Sequence, residues 1–169
     1  LRRNLLGEIP EEFLLAYLSV RDMAVSEIND LTGYLQGRLP GPDVTAEQLR
    51  NRSWWRGPEI YLLVDDYDLV ATNTSNPLTP LQPLLAQAQD IGLHLVLTRR
   101  IGGTVRAMYE PIMQTLGDLS TPGIMLPGSP DEGTLMGRQK PQPGPAGRAR
   151  LINRDGVRTL QLAWTPPTM

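Results

Sequence analysis

The sequence predicts an α/β fold, a mostly parallel sheet flanked by helices with a β-hairpin at its C-terminal end. Three observations carry that expectation. Ile60 to Val64 is an unbroken apolar run that stops at Asp65-Asp66, as a central strand covered on both faces would. His94 to Thr98 is a second such run, and a helical pattern lies between them, so strand, helix and strand follow within about 40 residues as in a right-handed βαβ unit. Finally, Arg148 to Ile152 and Val157 to Trp164 flank Asn153-Arg154-Asp155-Gly156, a turn that suits a hairpin, with Leu160, Leu162 and Trp164 alternating on one face.

The remaining elements follow in chain order. Gly7 to Val20 reads as a helix starting near Pro10, because Pro suits the first helical position and Glu11 and Glu12 complement the helix N-terminus; Phe13, Leu14, Tyr17 and Leu18 would form its apolar stripe. A second helix, from about Met23 to Leu39, carries Ala24, Ile28, Leu31, Leu35 and Leu39 at helical spacing and stops at Pro40-Gly41-Pro42. Its opposite face holds Glu27, Asp30 and Arg38. Thr45 and Gln48 form a capping-box pattern for a short helix ending near Arg50, before a loop from Asn51 to Pro58 that contains Trp54 and Trp55.

After the first strand comes a polar loop, Thr72 to Asn76. Thr79-Pro80 then opens a helix with Leu81, Leu84, Leu85 and Ala88 inward, closed by Gly92. Beyond Arg99-Arg100 the pattern gives a glycine turn, a helical stretch from about Val105 to Leu116 broken at Pro111, and a short strand, Ile124 to Leu126. Gly137 to Gly147 is a Pro/Gly-rich extended loop.

Composition removes several kinds of chemistry. The chain of 169 residues has no Cys and one His, which excludes disulfide scaffolds, thiolate zinc sites and cysteine nucleophiles and argues against histidine-based catalysis. A net charge of -2 gives no global basic field for nucleic acid or an acidic membrane, and no apolar run approaches the roughly 20 residues that span a bilayer. The only Lys is Lys140, in the Pro/Gly-rich stretch, so a complete glycine-lysine phosphate loop is absent from these residues.

The sharpest local signal is IYLLVDDYD, a strand that delivers carboxylates at its C-terminal end, where ligands of open α/β sheets bind. In nucleotide hydrolases the first such carboxylate holds magnesium and the second polarises the attacking water. The competing reading is that Asp65, Asp66 and Asp68 simply end a strand. HLVLTRR brings Thr98, Arg99 and Arg100 to a second strand tip, where a hydroxyl could sense a γ-phosphate and an Arg could contact phosphate or a neighbouring subunit; solvated strand-end residues are the alternative. Arg138, Arg148 and Arg150 could bind an anion or be surface charge. His94 reads as a structural histidine, and Trp54 and Trp55 read as cover for the sheet edge.

The runs NRSWWRGPEIYLLVDDYDLVAT, PLLAQAQDIGLHLVLTRR, SPDEGTLMG and GRARLI occur in order, and through them the chain resembles the terminal FtsK/SpoIIIE-type ATPase domain of the EccC family of type VII (ESX) secretion motors. The resemblance implies a P-loop NTPase fold of the RecA/FtsK kind, incomplete at its N-terminal side, with residues 1–169 forming the C-terminal part of one such domain. LRRN at the start resembles the end of the strand that follows the phosphate-loop helix. Asp65 and Asp66 then occupy Walker B-like positions, with Asp65 holding hydrated Mg2+ and Asp66 standing where active relatives commonly have Glu. Thr98 takes a sensor-like position and Arg99 a nucleotide-side one.

ATP and Mg2+ are the implied cofactors, both requiring a Walker A segment, so the 169 residues by themselves are expected not to turn over ATP. The implied partners are the C-terminal tails of secreted WXG-type heterodimers and other ATPase domains in a hexameric assembly, in the cytoplasm and peripheral to the plasma membrane. An apolar groove for such a tail is assigned to Tyr17, Leu18, Ile28, Leu31 and Leu35, residues that equally suit a core face. Two other classes stay open: a degenerate, nucleotide-independent docking module, and, more weakly, a DNA translocase, for which no basic stripe with interleaved aromatics is visible.

Overall fold

Strand β1 (Ile60–Val64) pairs in parallel with β2 (Leu93–Leu97), in a register that sets Ile60 against Leu93 and Val64 against Leu97. These strands belong to a computed structural model that describes residues 9–19, 21–72, 75–103 and 108–164. The chain divides into two compact units, Leu1–Arg99 and Arg100–Met169.

In the first unit the helix Arg21–Gln36 packs against a 3-10 helix, Thr79–Gln87. Ile28, Leu35, Leu81, Leu84, Leu85, Ile91 and Leu93 are all buried and form the core with Ile60 and Val64. The expected helix at Thr79 therefore exists as a tighter turn. Pro80 and Pro83 lack N–H donors, and a proline ring inside an α-helix collides with the carbonyl one turn back. Its inward residues are those the pattern marked, except that Ala88 is half-buried.

Three expectations about this unit are corrected. Among the described residues β1 is covered on one face only: Ile60 and Val64 are buried, whereas Tyr61 and Leu63, pointing the other way along the pleat, are exposed, as is Val96 of β2. The first predicted helix reduces to a 3-10 turn, Glu11–Phe13, followed by non-helical chain with Phe13 and Leu15 exposed. A short helix that buries nothing has no packing to hold it. Gly7 and Val20 lie outside the described residues. Arg38, read as part of a polar face, is buried with 4% exposure.

Trp54 and Trp55, in the loop before β1, are held by their indole N–H groups. Trp54 Nε1 donates to Arg38 O at 2.7 Å and Trp55 Nε1 to Asp90 O at 2.8 Å. The capping box is present: Thr45 Oγ1 accepts from Gln48 N and Gln48 Oε1 accepts from Thr45 N, opening the helix Ala46–Asn51.

The second unit is an antiparallel sheet in the order β3-β4-β5 with a helix, Pro111–Asp118. β3 (Gly123–Met125) pairs with β4 (Arg148–Asn153), and β4 forms the expected hairpin with β5 (Gly156–Gln161), closing through Asn153 opposite Gly156. Pro111 starts its helix instead of breaking one, because its missing N–H falls where no intrahelical acceptor exists; Val105 lies outside the described residues. Leu162 and Trp164 follow the end of β5 and are exposed, so the inward alternation stops at Leu160. Arg148 donates to Gln161 and Arg150 to Gln139 and to the Lys140 carbonyl, so both bind their own unit. Pro141 of the Pro-rich loop is among the fully buried residues.

Candidate functional site

The β1–β2 register does more than build a sheet. Because Val64 faces Leu97, the next residues, Asp65 and Thr98, meet at the C-terminal edge. A slip of one residue would have replaced Asp65 by a neighbour on the other side of the pleat. Thr98 N donates to Val64 O at 2.9 Å and Tyr67 N donates to Thr98 O at 2.8 Å, which carries the ladder past both strands. The Thr98 hydroxyl donates to Asp65 Oδ1 at 2.6 Å. Its oxygen also accepts from Asp66 N at 3.1 Å, and Asp66 N lies 3.2 Å from Asp65 Oδ1.

This compact arrangement needs an unusual backbone. Asp66 sits at φ 49 and ψ 53, in the left-handed region that Asp tolerates better than most residues. In that conformation its N–H turns back toward Thr98 and Asp65, and the chain enters a single helical turn, Tyr67–Val70. Asp65, Asp66 and Thr98 are exposed at the edge, and Arg99 is half-buried beside them.

The donor set suits a hard cation that keeps most of its water. Carboxylate oxygens at a strand tip match Mg2+, which is usually held by one or two carboxylates plus phosphate oxygens. Among the described residues no group of three or more His, Cys, Asp or Glu side chains could form an all-protein metal cage. The Asp65 carboxylate at this strand tip thus fits a magnesium shared with a ligand.

The five residues assigned to a peptide groove are not equally available. Ile28 and Leu35 are 3% and 0% exposed and point into the core, because the helix Arg21–Gln36 turns this stripe onto the 3-10 helix; they are closed to a ligand in this fold. Tyr17 is exposed, and Leu18 and Leu31 are half-buried. A shallow depression of about 230 Å3 lies in the second unit, lined among others by Met125, Leu126, Pro127, Arg148 and Arg150, with no carboxylate in its wall.

Two features at the other end of the sheet were not legible as a site. Arg38 Nη2 donates to Pro58 O at 2.8 Å and Nη1 to Ile91 O at 3.0 Å. Pro58 and Ile91 stand two residues before Ile60 and Leu93, so the guanidinium clamps positions that the strand register itself aligns. Its Cζ lies over the Trp55 ring, 4.1 Å from the centroid, and over the Tyr34 ring, 4.6 Å from the centroid, and Nη2 also donates to Tyr34 Oη. The only signal for this cluster in the sequence was a tryptophan pair without an assigned partner.

Nearby, Glu59 Oε2 lies 2.7 Å from His94 Nε2 and Glu59 Oε1 lies 3.0 Å from Arg52 Nη2. The hydrogen bond from His94, then that from Arg52, hold the Glu59 carboxyl below its ordinary value. His94 also stacks on Tyr61 with ring centroids 4.3 Å apart, which agrees with its reading as a structural histidine.

No family model matches the chain. Individual relatives do. It is 46% identical over 167 residues to the ESX-4 secretion system protein EccC4 of Mycobacterium tuberculosis, covering 98% of this chain and 14% of that protein. It is 47% identical over 163 residues to the ESX secretion system protein EccC of Thermomonospora curvata, covering 96% of this chain and 12% of that one. The chain therefore spans about one seventh or less of the length of these relatives.

Among solved structures, the cytoplasmic domain of the T. curvata type VII secretion ATPase EccC superposes with a TM-score of 0.90 at 46% identity, over 98% of this chain and 19% of that one. EccC ATPases 2 and 3 of the same organism, in complex with a signal sequence peptide, also give a TM-score of 0.90, over 98% of this chain and 30% of that one. By sequence and by fold alike, these 169 residues match one segment of the EccC ATPases of ESX secretion systems.

Proposed function

We propose that these residues form the C-terminal part of the terminal ATPase domain of a type VII secretion motor, binding ATP with Mg2+ and helping to recognise the C-terminal tails of secreted WXG-type substrates. The observation that carries the nucleotide half is the 2.6 Å bond from the Thr98 hydroxyl to Asp65 Oδ1 at the tips of paired parallel strands, the crevice edge where such sheets bind ligands. Asp65 holds hydrated Mg2+, Asp66 orients a water if hydrolysis occurs, and Thr98 and Arg99 face the γ-phosphate. The phosphates need a cradle that these residues do not contain, since the one Lys lies in the Pro/Gly-rich stretch.

The peptide half is supported by the T. curvata structure that holds a signal sequence peptide. Of the groove residues, Tyr17, Leu18 and Leu31 have side chains at the surface and remain the candidates. The setting is a hexameric complex of ATPase domains in the cytoplasm, peripheral to the membrane; no helix among the described residues is long and apolar enough to cross one.

The test is equilibrium binding of a slowly hydrolysed ATP analogue to the full-length protein across a Mg2+ titration. Asp65→Asn should weaken the Mg2+-dependent component by about tenfold to a hundredfold. An unchanged Mg2+ requirement rejects the site. A second reading, a nucleotide-independent docking module, draws on Asp66, whose carboxylate is one methylene shorter than that of Glu and so less able to reach a water. Tail-peptide binding that ignores both nucleotide and Asp65→Ala would favour it.

A further inference from the structure

We propose that Tyr67 is a positioning residue for the acidic pair, holding the Asp65–Asp66 turn against Thr98 through its hydrogen bond with Asn76. The inference rests on the magnesium-nucleotide reading above.

The turn has a mechanical problem. Asp66 must stay at positive φ for its N–H to reach the Thr98 hydroxyl and Asp65 Oδ1, yet the residue is exposed and no core packing fixes it. The helix that follows has only four residues, too few to hold itself. What is fixed is Tyr67, 1% exposed and one residue beyond the strained position.

Tyr67 is tied at both ends. Its N–H donates to Thr98 O, so Thr98 meets the acids with its hydroxyl and Tyr67 with its carbonyl. Its phenolic oxygen accepts from Asn76 Nδ2 at 2.8 Å. Asn76 is itself locked: Oδ1 accepts from Leu78 N at 2.9 Å, and its carbonyl accepts from Thr79 Oγ1 at 2.8 Å. Leu78 is buried and leads into the 3-10 helix that packs on the helix Arg21–Gln36. A chain of bonds thus runs from the core helices through Asn76 and the phenol to the backbone that aims Asp65 and Asp66. Removing only the phenolic oxygen should leave the ring packed and let the turn sample other conformations.

The test uses Tyr67→Phe, Asp65→Asn and the double variant in the full-length protein, reading the Mg2+ concentration that half-saturates binding of the ATP analogue, with thermal unfolding alongside. Tyr67→Phe should raise that concentration by about twofold to tenfold, the usual worth of one hydrogen bond, and add nothing in the Asp65→Asn background. Asn76→Ser, which can still cap Leu78 but is too short to reach the phenol, should reproduce the shift and serves if Tyr67→Phe fails to fold. A lowered unfolding temperature with an unchanged Mg2+ half-saturation assigns Tyr67 to packing alone and overturns the proposal, as does an equal shift with and without Asp65. Failure of Asp65→Asn to alter the Mg2+ requirement rejects the nucleotide reading, and this inference with it.

Discussion

Replacing Arg38 by Met tests the clamp at the entry to the two strands. Met preserves most of the side-chain stem, so the loss is confined to the guanidinium. Ile91 is 0% exposed, and its carbonyl would lose its 3.0 Å donor with no water to replace it, a cost of about 1–3 kcal/mol. The stack on Trp55 and Tyr34 adds about 1 kcal/mol. Pro58 is exposed, so its carbonyl recovers a water and contributes little. Against this, the buried Nε has no hydrogen-bond partner among the described residues, and removing it with a desolvated cation returns about 1 kcal/mol.

The balance is a net destabilisation of about 2 kcal/mol, large against a total of about 5–15 kcal/mol for a typical domain. Urea unfolding followed by tryptophan fluorescence is the assay, because Trp54 and Trp55 both touch this cluster while Trp164 is 81% exposed. A midpoint unchanged within error, or a stabilised protein, would refute the reasoning and would mean that desolvation of the cation outweighs its hydrogen bonds.

Two further outcomes follow from the same end of the sheet. Gly92 lies at φ +72, and an added Cβ would stand 2.6 Å from Trp55 Cη2, so Gly92→Ala should destabilise by about 1–3 kcal/mol and expose Trp55, read as a red-shifted emission; a neutral substitution would show that Trp55 is free to move. Glu59 has a folded value below its ordinary one near 4.5, so its contribution to stability is present above that value and is lost as pH falls through the lowered one. Unfolding temperatures of the protein and of Glu59→Gln should therefore differ near neutrality and converge as pH falls below the ordinary carboxylate range; a constant gap down to that acidity would rule out the carboxylate as the cause.

Much of the architecture was legible because it depends on local pattern. The two apolar runs, Ile60 to Val64 and the run ending at Leu97, announce themselves by length and by the polar residues that stop them. The hairpin around Arg154-Asp155 and the Thr45 capping box are written in turn and cap chemistry that acts within a few residues. Helix type was less secure where two influences competed: the leucine spacing from Leu81 is helical, but Pro80 and Pro83 tighten the turn. The Gly7 to Val20 pattern failed for a different reason, since amphipathic spacing states only which face could be buried, and nothing described buries this one.

The candidate site divides along the same line. The sequence by itself determined which groups are available, two carboxylates after one strand and a hydroxyl and two guanidinium groups after another, and it excluded thiol and multi-histidine chemistry. Only the tertiary structure decided that Asp65 and Thr98 are bonded, because that depends on parallel register between residues more than thirty positions apart. It also decided that Ile28 and Leu35 face inward, that Arg38 is buried against two aromatic rings, and that Tyr67 ties the acidic turn to Asn76. Composition and periodicity report each residue's own preference and that of its neighbours along the chain, whereas these contacts arise when distant segments compete for the same space and the same hydrogen-bond partners.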